Sequence, residues 1–239
     1  MTPRPVRVLA VLAFAVAATA TSASAQTPPT GGTPAPPPSP TTVVASNGEV
    51  GIVTRADALL RRMTRFRGTV NTAYAGRTIG IELFDALAGA WVPVATATVG
   101  PDGSYLARWR ADRIGVLRIR AVVEAPGQAS AASASPEVAV TVYRQALATW
   151  YGPGFYGRRT ACGEKMTHDL LGVAHKRLPC GTPVAISYKG RRVTVPVVDR
   201  GPFAHGASYD LTVATAQALA FTVTDRIGAL PVGPPPAAG

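Results

Sequence analysis

The sequence is poor in the side chains that hold metal ions. It has two cysteines and three histidines in 239 residues. Four-ligand zinc sites need more Cys or His at close spacing, so we expect no metal site and no cofactor. If the chain is exported, the two cysteines, Cys162 and Cys180, are expected to form a disulfide, because oxidising compartments favour a bridge over free thiols.

Acidic residues are also scarce. The chain has 13 Asp and Glu against 24 Lys and Arg, a net charge of +11. A basic exported protein meets polyanions such as anionic cell-wall polymers, which we therefore consider as partners. No stretch interleaves basic and aromatic residues in the manner of a nucleic-acid module, and we expect no nucleic acid as a partner.

The long apolar run of the sequence lies at its N terminus. Arg4 and Arg7 precede VLAVLAFAVAATA, and the small residues SASA follow, which predicts a signal peptide over residues 1–25. The run falls short of the roughly 20 residues that span a bilayer. No cysteine follows it to carry a lipid. We expect a secreted protein, periplasmic or associated with the cell wall, with no stable membrane anchor.

Composition divides the rest of the chain. Residues 26–42 are rich in Pro and Thr and are expected to form an extended linker. Residues 43–145 contain short alternating runs separated by turn signals, which predict an immunoglobulin-like β-sandwich. Asp102 and Gly103, in the stretch PDGSY, predict a tight hairpin between two of its strands.

The second half has a different pattern. Residues 146–232 contain short strands and one or two short helices, and they indicate a small closed β structure. One helix is predicted over Val213–Ala220 with Thr212 as its N-cap. Pro196 cannot donate to a ladder, so its strand is expected to be an edge strand or to be unpaired at that point. Residues 233–239 are predicted to be a disordered tail.

Polar groups able to transfer protons lie where apolar strands meet turns. They are Glu164, His168, Asp169, His175, Asp199, Arg200 and His205. Two carboxylates and an imidazole suggest general acid–base chemistry. Composition leaves other roles open: Asp199 suits a turn that caps its own backbone, Glu164 a solvated loop, and His175 a structural histidine.

Four motifs in a fixed order are more specific than any single residue. ATWYGPGFYGRRTACGE, AHKRLPCGT, VPVVDRGPF and YDLTVATAQAL occur in this order. Over Ala146 to Val232 the series resembles the double-psi β-barrel domain of the rare lipoprotein A (RlpA) family of bacterial envelope proteins. The resemblance implies a six-stranded double-psi β-barrel and, with the sandwich, an all-β protein. Expansins and barwin-like proteins share the fold more distantly.

The resemblance also implies an activity. Characterised members are lytic transglycosylases, which implies endolytic cleavage of the β-1,4 bond between N-acetylmuramic acid and N-acetylglucosamine in peptidoglycan, with a 1,6-anhydro product. The functional acid, imidazole and aspartate fall on Glu164, His175 and Asp199. Asp199 is expected to be the acid/base, a role that requires a raised pKa.

Two expectations complete the hypothesis. We expect the side chains of Tyr151, Arg200 and Phe203 to contact the substrate. The alternative function is that of a non-catalytic, expansin-like module that binds cell-wall polysaccharide in the same groove.

Overall fold

The computed structural model describes residues 41–123, 133–203 and 206–233. The predicted signal peptide, residues 26–40 of the predicted linker, His205 and residues 234–239 of the predicted tail lie outside these ranges. The helices in the described ranges are all too short or too polar to cross a membrane.

Over these ranges the chain forms fifteen strands and one α-helix. The strands are β1 Thr42–Ser46, β2 Gly51–Arg55, β3 Asp57–Leu59, β4 Met63–Thr69, β5 Thr78–Asp85, β6 Ala90–Thr98, β7 Ser104–Arg110, β8 Gly115–Val123, β9 Ser133–Ala134, β10 Val138–Tyr151, β11 Val173–His175, β12 Pro183–Tyr188, β13 Arg191–Asp199, β14 Tyr209–Thr212 and β15 Asp225–Pro231. The helix, α1, spans Val213–Ala218, and a single 3-10 turn spans Thr72–Tyr74.

The first half of the described chain is a sandwich of two sheets, as predicted. One sheet has the strand order β1-β2-β4-β7, and the other contains β6-β5-β8-β10, with β3 and β9 paired at its margins. Strand β7 shows how alternation builds the core: Tyr105, Ala107 and Trp109 are buried, and the residues between them face solvent. The turn predicted at Asp102-Gly103 is present, with Gly103 at a φ of 79°. It is not a hairpin, because it connects β6 to β7 and these two strands belong to different sheets.

Six strands of the second half close into a ring. Their order is β14-β11-β13-β12-β15-β10, and β10 pairs in parallel with β14 to complete the circuit. The ring encloses its own apolar core, which includes Val173, Ile186 and Leu211. Thr212 accepts a hydrogen bond from the backbone N–H of Thr215 and caps α1, as predicted. The predicted six-stranded double-psi β-barrel is confirmed.

Strand β10 belongs to both halves. Its first residues pair with β8 in the sandwich, and the segment from Arg144 to Tyr151 pairs with β15 and β14 in the barrel. It runs without a break through the boundary that we predicted between residues 145 and 146. Arg192 in the barrel donates its Nε–H to Asp57 Oδ2 in the sandwich at 2.7 Å, which adds a polar contact beside the shared strand.

Pro196 does not mark an edge strand. Its strand, β13, lies between β11 and β12. Pro196 faces Pro183 of β12, and the pairing with β11 begins one residue later, at Val197. Neither proline has a backbone N–H. Because they face each other, no N–H is needed at this position of the β12–β13 ladder. The edge-strand alternative was wrong because the sequence alone does not reveal a second proline in the facing position.

Candidate active site

Four adjacent barrel strands bring two carboxyl groups into one row. In register, Thr149 of β10 faces Asp210 of β14, Asp210 faces Ala174 of β11, and Ala174 faces Asp199 of β13. Residues directly opposite each other on adjacent strands project from the same face of a sheet. Ala174, which lies between the two aspartates, has only a methyl group as its side chain. All four residues line a cleft of about 770 Å³.

Asp199 is held by three hydrogen bonds. Its Oδ1 accepts from the backbone N–H groups of Ala161 and Arg200, each at 2.8 Å, and its Oδ2 accepts from the hydroxyl of Tyr151 at 3.2 Å. Burial, together with the negative charge of Asp199, raises the pKa of Tyr151, so this phenol keeps the proton that it donates. An ionised carboxylate accepts hydrogen bonds only, and it therefore suits these three donors. Asp199 both caps its own turn and lines the cleft.

Asp210 is a cleft residue that the sequence analysis missed. Burial raises the pKa of its carboxyl group. A hydrogen bond of 2.6 Å from the Thr149 hydroxyl acts in the opposite direction, and the negative charge of Asp199 raises the pKa further. The net direction favours the protonated form, which is the form that can donate a proton.

A signal for Asp210 was present in the motif YDLT. Tyr209 and Leu211 are buried in the barrel core, and strand alternation turns the residue between them to the opposite face, toward the cleft. The proximity of Asp210 to Asp199 depends on the pairing of both strands with β11, which the sequence does not disclose.

The three residues predicted to contact substrate all line the cleft. Tyr151, Arg200 and Phe203 are joined there by Trp150 and Phe155. Phe203 is 82% exposed, and Trp150 and Phe155 are also well exposed to solvent. Exposed aromatic rings at a cleft provide flat apolar surfaces for the faces of sugar rings.

Arginines give the cleft its positive charge. Arg158 and Arg159, which the sequence analysis did not single out, lie in the lining with exposed side chains. The guanidinium of Arg200 has structural contacts as well, since Nη1 donates to the carbonyl oxygen of Leu178 at 2.7 Å and Nη2 contacts Cys180 Sγ at 3.2 Å. Arg200 therefore connects the turn after β11 to the end of β13, where Asp199 lies.

His175 lies at the end of β11, outside the cleft lining. Its Nδ1 accepts hydrogen bonds from the backbone N–H groups of Arg177 and Leu178 at 3.1 and 2.9 Å. Its ring packs on the ring of Tyr209. Burial lowers the pKa of His175, and the nearby positive charge of Arg200 acts in the same direction. A neutral imidazole that accepts through Nδ1 carries its proton on Nε2. The contacts of His175 stabilise the turn, and its catalytic role stays a prediction.

Glu164 is exposed on the loop that precedes β11. Within the described residues its carboxylate makes no hydrogen bond and does not line the cleft, so its catalytic role also stays a prediction. The described residues likewise contain no group of three or more His, Cys, Asp and Glu side chains placed to hold a metal ion.

The predicted disulfide is present between Cys162 and Cys180, with a Cα–Cα distance of 5.6 Å. It joins the loop that carries Glu164 to the turn that follows His175. The same loop supplies the Ala161 N–H that binds Asp199. The cross-link therefore helps to hold one of the donors that position this carboxylate.

Residues 143–233 match the model of a double-psi β-barrel family described as lytic transglycolase. The matched segment begins within β10 and contains the closed barrel. The predicted resemblance to the rare lipoprotein A family is confirmed over the barrel.

Individual relatives carry the same description. The chain is 47% identical over 75 residues to the probable endolytic peptidoglycan transglycosylase RlpA of Synechocystis, covering 30% of this chain and 23% of that protein. It is 40% identical over 84 residues to the endolytic peptidoglycan transglycosylase RlpA of Campylobacter jejuni, covering 34% and 30%, and 43% identical over 81 residues to that of Pseudomonas aeruginosa, covering 32% and 23%. The chain thus spans less than a third of the length of each of these relatives.

Proposed function

We propose that the barrel is an endolytic lytic transglycosylase that cuts the glycan strands of peptidoglycan during cell-wall remodelling. One observation carries the proposal: two carboxyl groups in different environments, Asp199 and Asp210, flank the small Ala174 in an open cleft. Enzymes that cleave glycosidic bonds usually use two carboxyl groups whose surroundings give them different pKa values. The names of the relatives support the same substrate.

The chemistry requires a single proton to be given and returned. In the proposed reaction, Asp210 donates its proton to the glycosidic oxygen as the bond from that oxygen to the anomeric carbon of the muramic residue breaks. Positive charge develops on the sugar ring, and the Asp199 carboxylate stabilises it. The muramic C6 hydroxyl then attacks the anomeric carbon, and its proton returns to Asp210. No water is consumed, so the reaction is that of a lyase.

This scheme moves the acid/base role from Asp199, where we first expected it, to Asp210. The three hydrogen-bond donors around Asp199 suit a carboxylate that stabilises positive charge. The burial of Asp210 raises the pKa of its carboxyl group, which suits a proton donor. Tyr151 positions Asp199 through the bond to Oδ2, and we propose that Trp150, Phe155 and Phe203 stack on sugar rings.

We further propose that the protein works outside the cytoplasm, in the periplasm or at the wall. The substrate lies there, and the N-terminal sequence predicts export. The disulfide is consistent with an oxidising compartment.

Digestion of purified sacculi, and of glycan strands freed of peptides, tests the activity. Mass spectrometry of the soluble products should find fragments that end in 1,6-anhydro-muramic acid, and the Asp199→Asn protein should release at least about 100-fold less, because a neutral amide no longer offsets the developing positive charge. A protein that pellets with sacculi but releases no fragments would instead support the expansin-like binding module. Glu164→Gln and His175→Gln, assayed alongside, test the two remaining predicted roles.

The pH dependence of the activity should identify the acid. The proton donor must be protonated, so kcat/KM is expected to fall as pH rises through the raised pKa of Asp210. Thr149→Val removes the hydrogen bond that lowers this pKa, and the alkaline limb of the profile should then move to higher pH. Thr224→Val is a matched control, because Thr224 lines the cleft and its side chain makes no hydrogen bond within the described residues. An alkaline limb that does not respond to Thr149→Val would exclude Asp210 as its source.

A further inference from the structure

The outward side of the sheet β1-β2-β4-β7, which we call the arginine face, carries positive charge alone. Strand alternation and register place five arginines on it. They are Arg55, Arg65, Arg67, Arg108 and Arg110. The other outward positions of these four strands hold Thr, Val, Ser, Gly, Met and Leu, without a single acidic residue.

The arrangement of these arginines is electrostatically unfavourable in the unbound protein. Arg65 lies directly opposite Arg108 on the neighbouring strand. Like charges in facing positions of a sheet are destabilising. Within the described chain no arginine of this face has an ion-pair partner, whereas Arg118 and Arg120 on the opposite sheet pair with Glu137 and Glu82. An anionic ligand would remove the repulsion.

The part of the arginine face that carries Arg55, Arg65 and Arg67 forms one wall of a cleft of about 690 Å³, and Arg108 and Arg110 extend the face beyond the lining of this cleft. Arg55, Arg62, Arg65 and Arg67 line the sandwich side, and Lys189 and Arg226 line the barrel side. None of the cleft's lining residues belongs to the lining of the candidate active site. The two are therefore separate sites on the protein.

Each acidic residue of this second cleft has a basic neighbour. Asp57 accepts from Arg192 at 2.7 Å, and Asp225 accepts from the backbone N–H of Arg226 and lies 3.7 Å from Lys189 Nζ. The shared strand β10 joins the parts of the chain that form the two walls. A cleft with two walls admits a linear chain and excludes a flat bilayer.

The residues between the arginines suit a sugar polymer. Thr42, Thr69 and Ser104 present hydroxyl groups on the same face, and Val44 and Met63 are 67% and 59% exposed there. Hydroxyl groups bond to those of sugars, and apolar side chains pack on the C–H faces of pyranose rings. The guanidinium group of arginine binds a carboxylate through two parallel hydrogen bonds.

We propose that the arginine face and its cleft bind a linear acidic polysaccharide through its carboxylates, at a site separate from the barrel cleft. Such a site tethers the protein to an anionic polymer while the barrel cleft stays free for its own substrate. Binding through exposed charges is weakened by salt, because screening at 0.15 M acts over about 8 Å.

The test measures binding of the purified protein to polygalacturonate by calorimetry at two salt concentrations. The Arg65→Gln/Arg108→Gln variant should bind about tenfold more weakly, because two exposed charged contacts are lost. The matched control is Arg113→Gln/Arg118→Gln, which removes the same net charge from arginines outside the arginine face. It should bind as the unmodified protein does.

Parallel titrations separate this proposal from its rivals. Neutral dextran should not bind. Equal weakening by both double variants would show that net charge alone drives binding and would overturn the proposal. Tight binding to inorganic polyphosphate or to vesicles of anionic phospholipid, without binding to polygalacturonate, would overturn it as well. Because the readout is binding, its failure leaves the glycan-cleavage assay unaffected, and the reverse also holds.

Discussion

Replacing Asp210 with Asn is expected to lower the rate of release of anhydro-muramic fragments by about 10²–10⁴-fold, the usual loss when a general acid is removed. The amide retains the size of the side chain and can still accept from Thr149, but it has no acidic proton to give to the glycosidic oxygen. Substrate binding should change little, so the loss should appear in kcat and not in KM. Single-turnover digestion of peptide-free glycan strands measures this directly.

The matched control for this variant is Asp169→Asn. Asp169 is an exposed barrel aspartate that makes no hydrogen bond within the described part of the chain. The control should digest glycan at the unmodified rate, and both variants should unfold at a similar temperature. Full activity in Asp210→Asn would exclude the proposed acid and return that role to Asp199 or Glu164.

Removing the disulfide should have the second large effect. The Cys162→Ser/Cys180→Ser protein is expected to lose about 3 kcal/mol of unfolding free energy, because the cross-link restricts a loop with a sequence separation of 18 in the unfolded chain. Activity should fall as well, since the loop positions the Ala161 N–H that binds Asp199, and Arg200 contacts Cys180 Sγ. Urea denaturation monitored by tryptophan fluorescence gives the stability change.

Reductant provides the internal control for the disulfide prediction. It should lower the urea midpoint of the unmodified protein towards that of the double variant and leave the double variant unchanged. If the double variant unfolds at the same urea concentration as the unmodified protein, the bridge does not stabilise the barrel. If stability falls while cleavage per folded molecule is unchanged, the link from the bridge to Asp199 is wrong.

Local sequence patterns predicted the elements of this fold well. The Asp102-Gly103 turn, the N-cap at Thr212 and the alternation in β7 all follow from short-range backbone preferences and side-chain periodicity, which act within a few residues. The disulfide was equally accessible, since Cys162 has one cysteine with which to pair. The resemblance of the four ordered motifs to a known family predicted the double-psi β-barrel.

Long-range pairing decided what local patterns left open. The facing prolines at positions 183 and 196 and the passage of β10 through both halves depend on which strands become neighbours. The arginine face likewise collects side chains from strands that lie far apart in the chain. Register between distant strands is set by the packing of the whole core, and no short stretch of sequence contains it.

The candidate site shows the same division. The sequence by itself determined that Asp199 ends an apolar strand in a Gly-Pro turn beside aromatic and basic residues. Only the tertiary structure decided that Asp210 lies beyond Ala174 in the same row, that three donors hold Asp199, and that His175 caps a turn outside the cleft lining. The reason is physical: burial and strand neighbours set the protonation and hydrogen bonding of a carboxyl group, and both arise when distant strands meet.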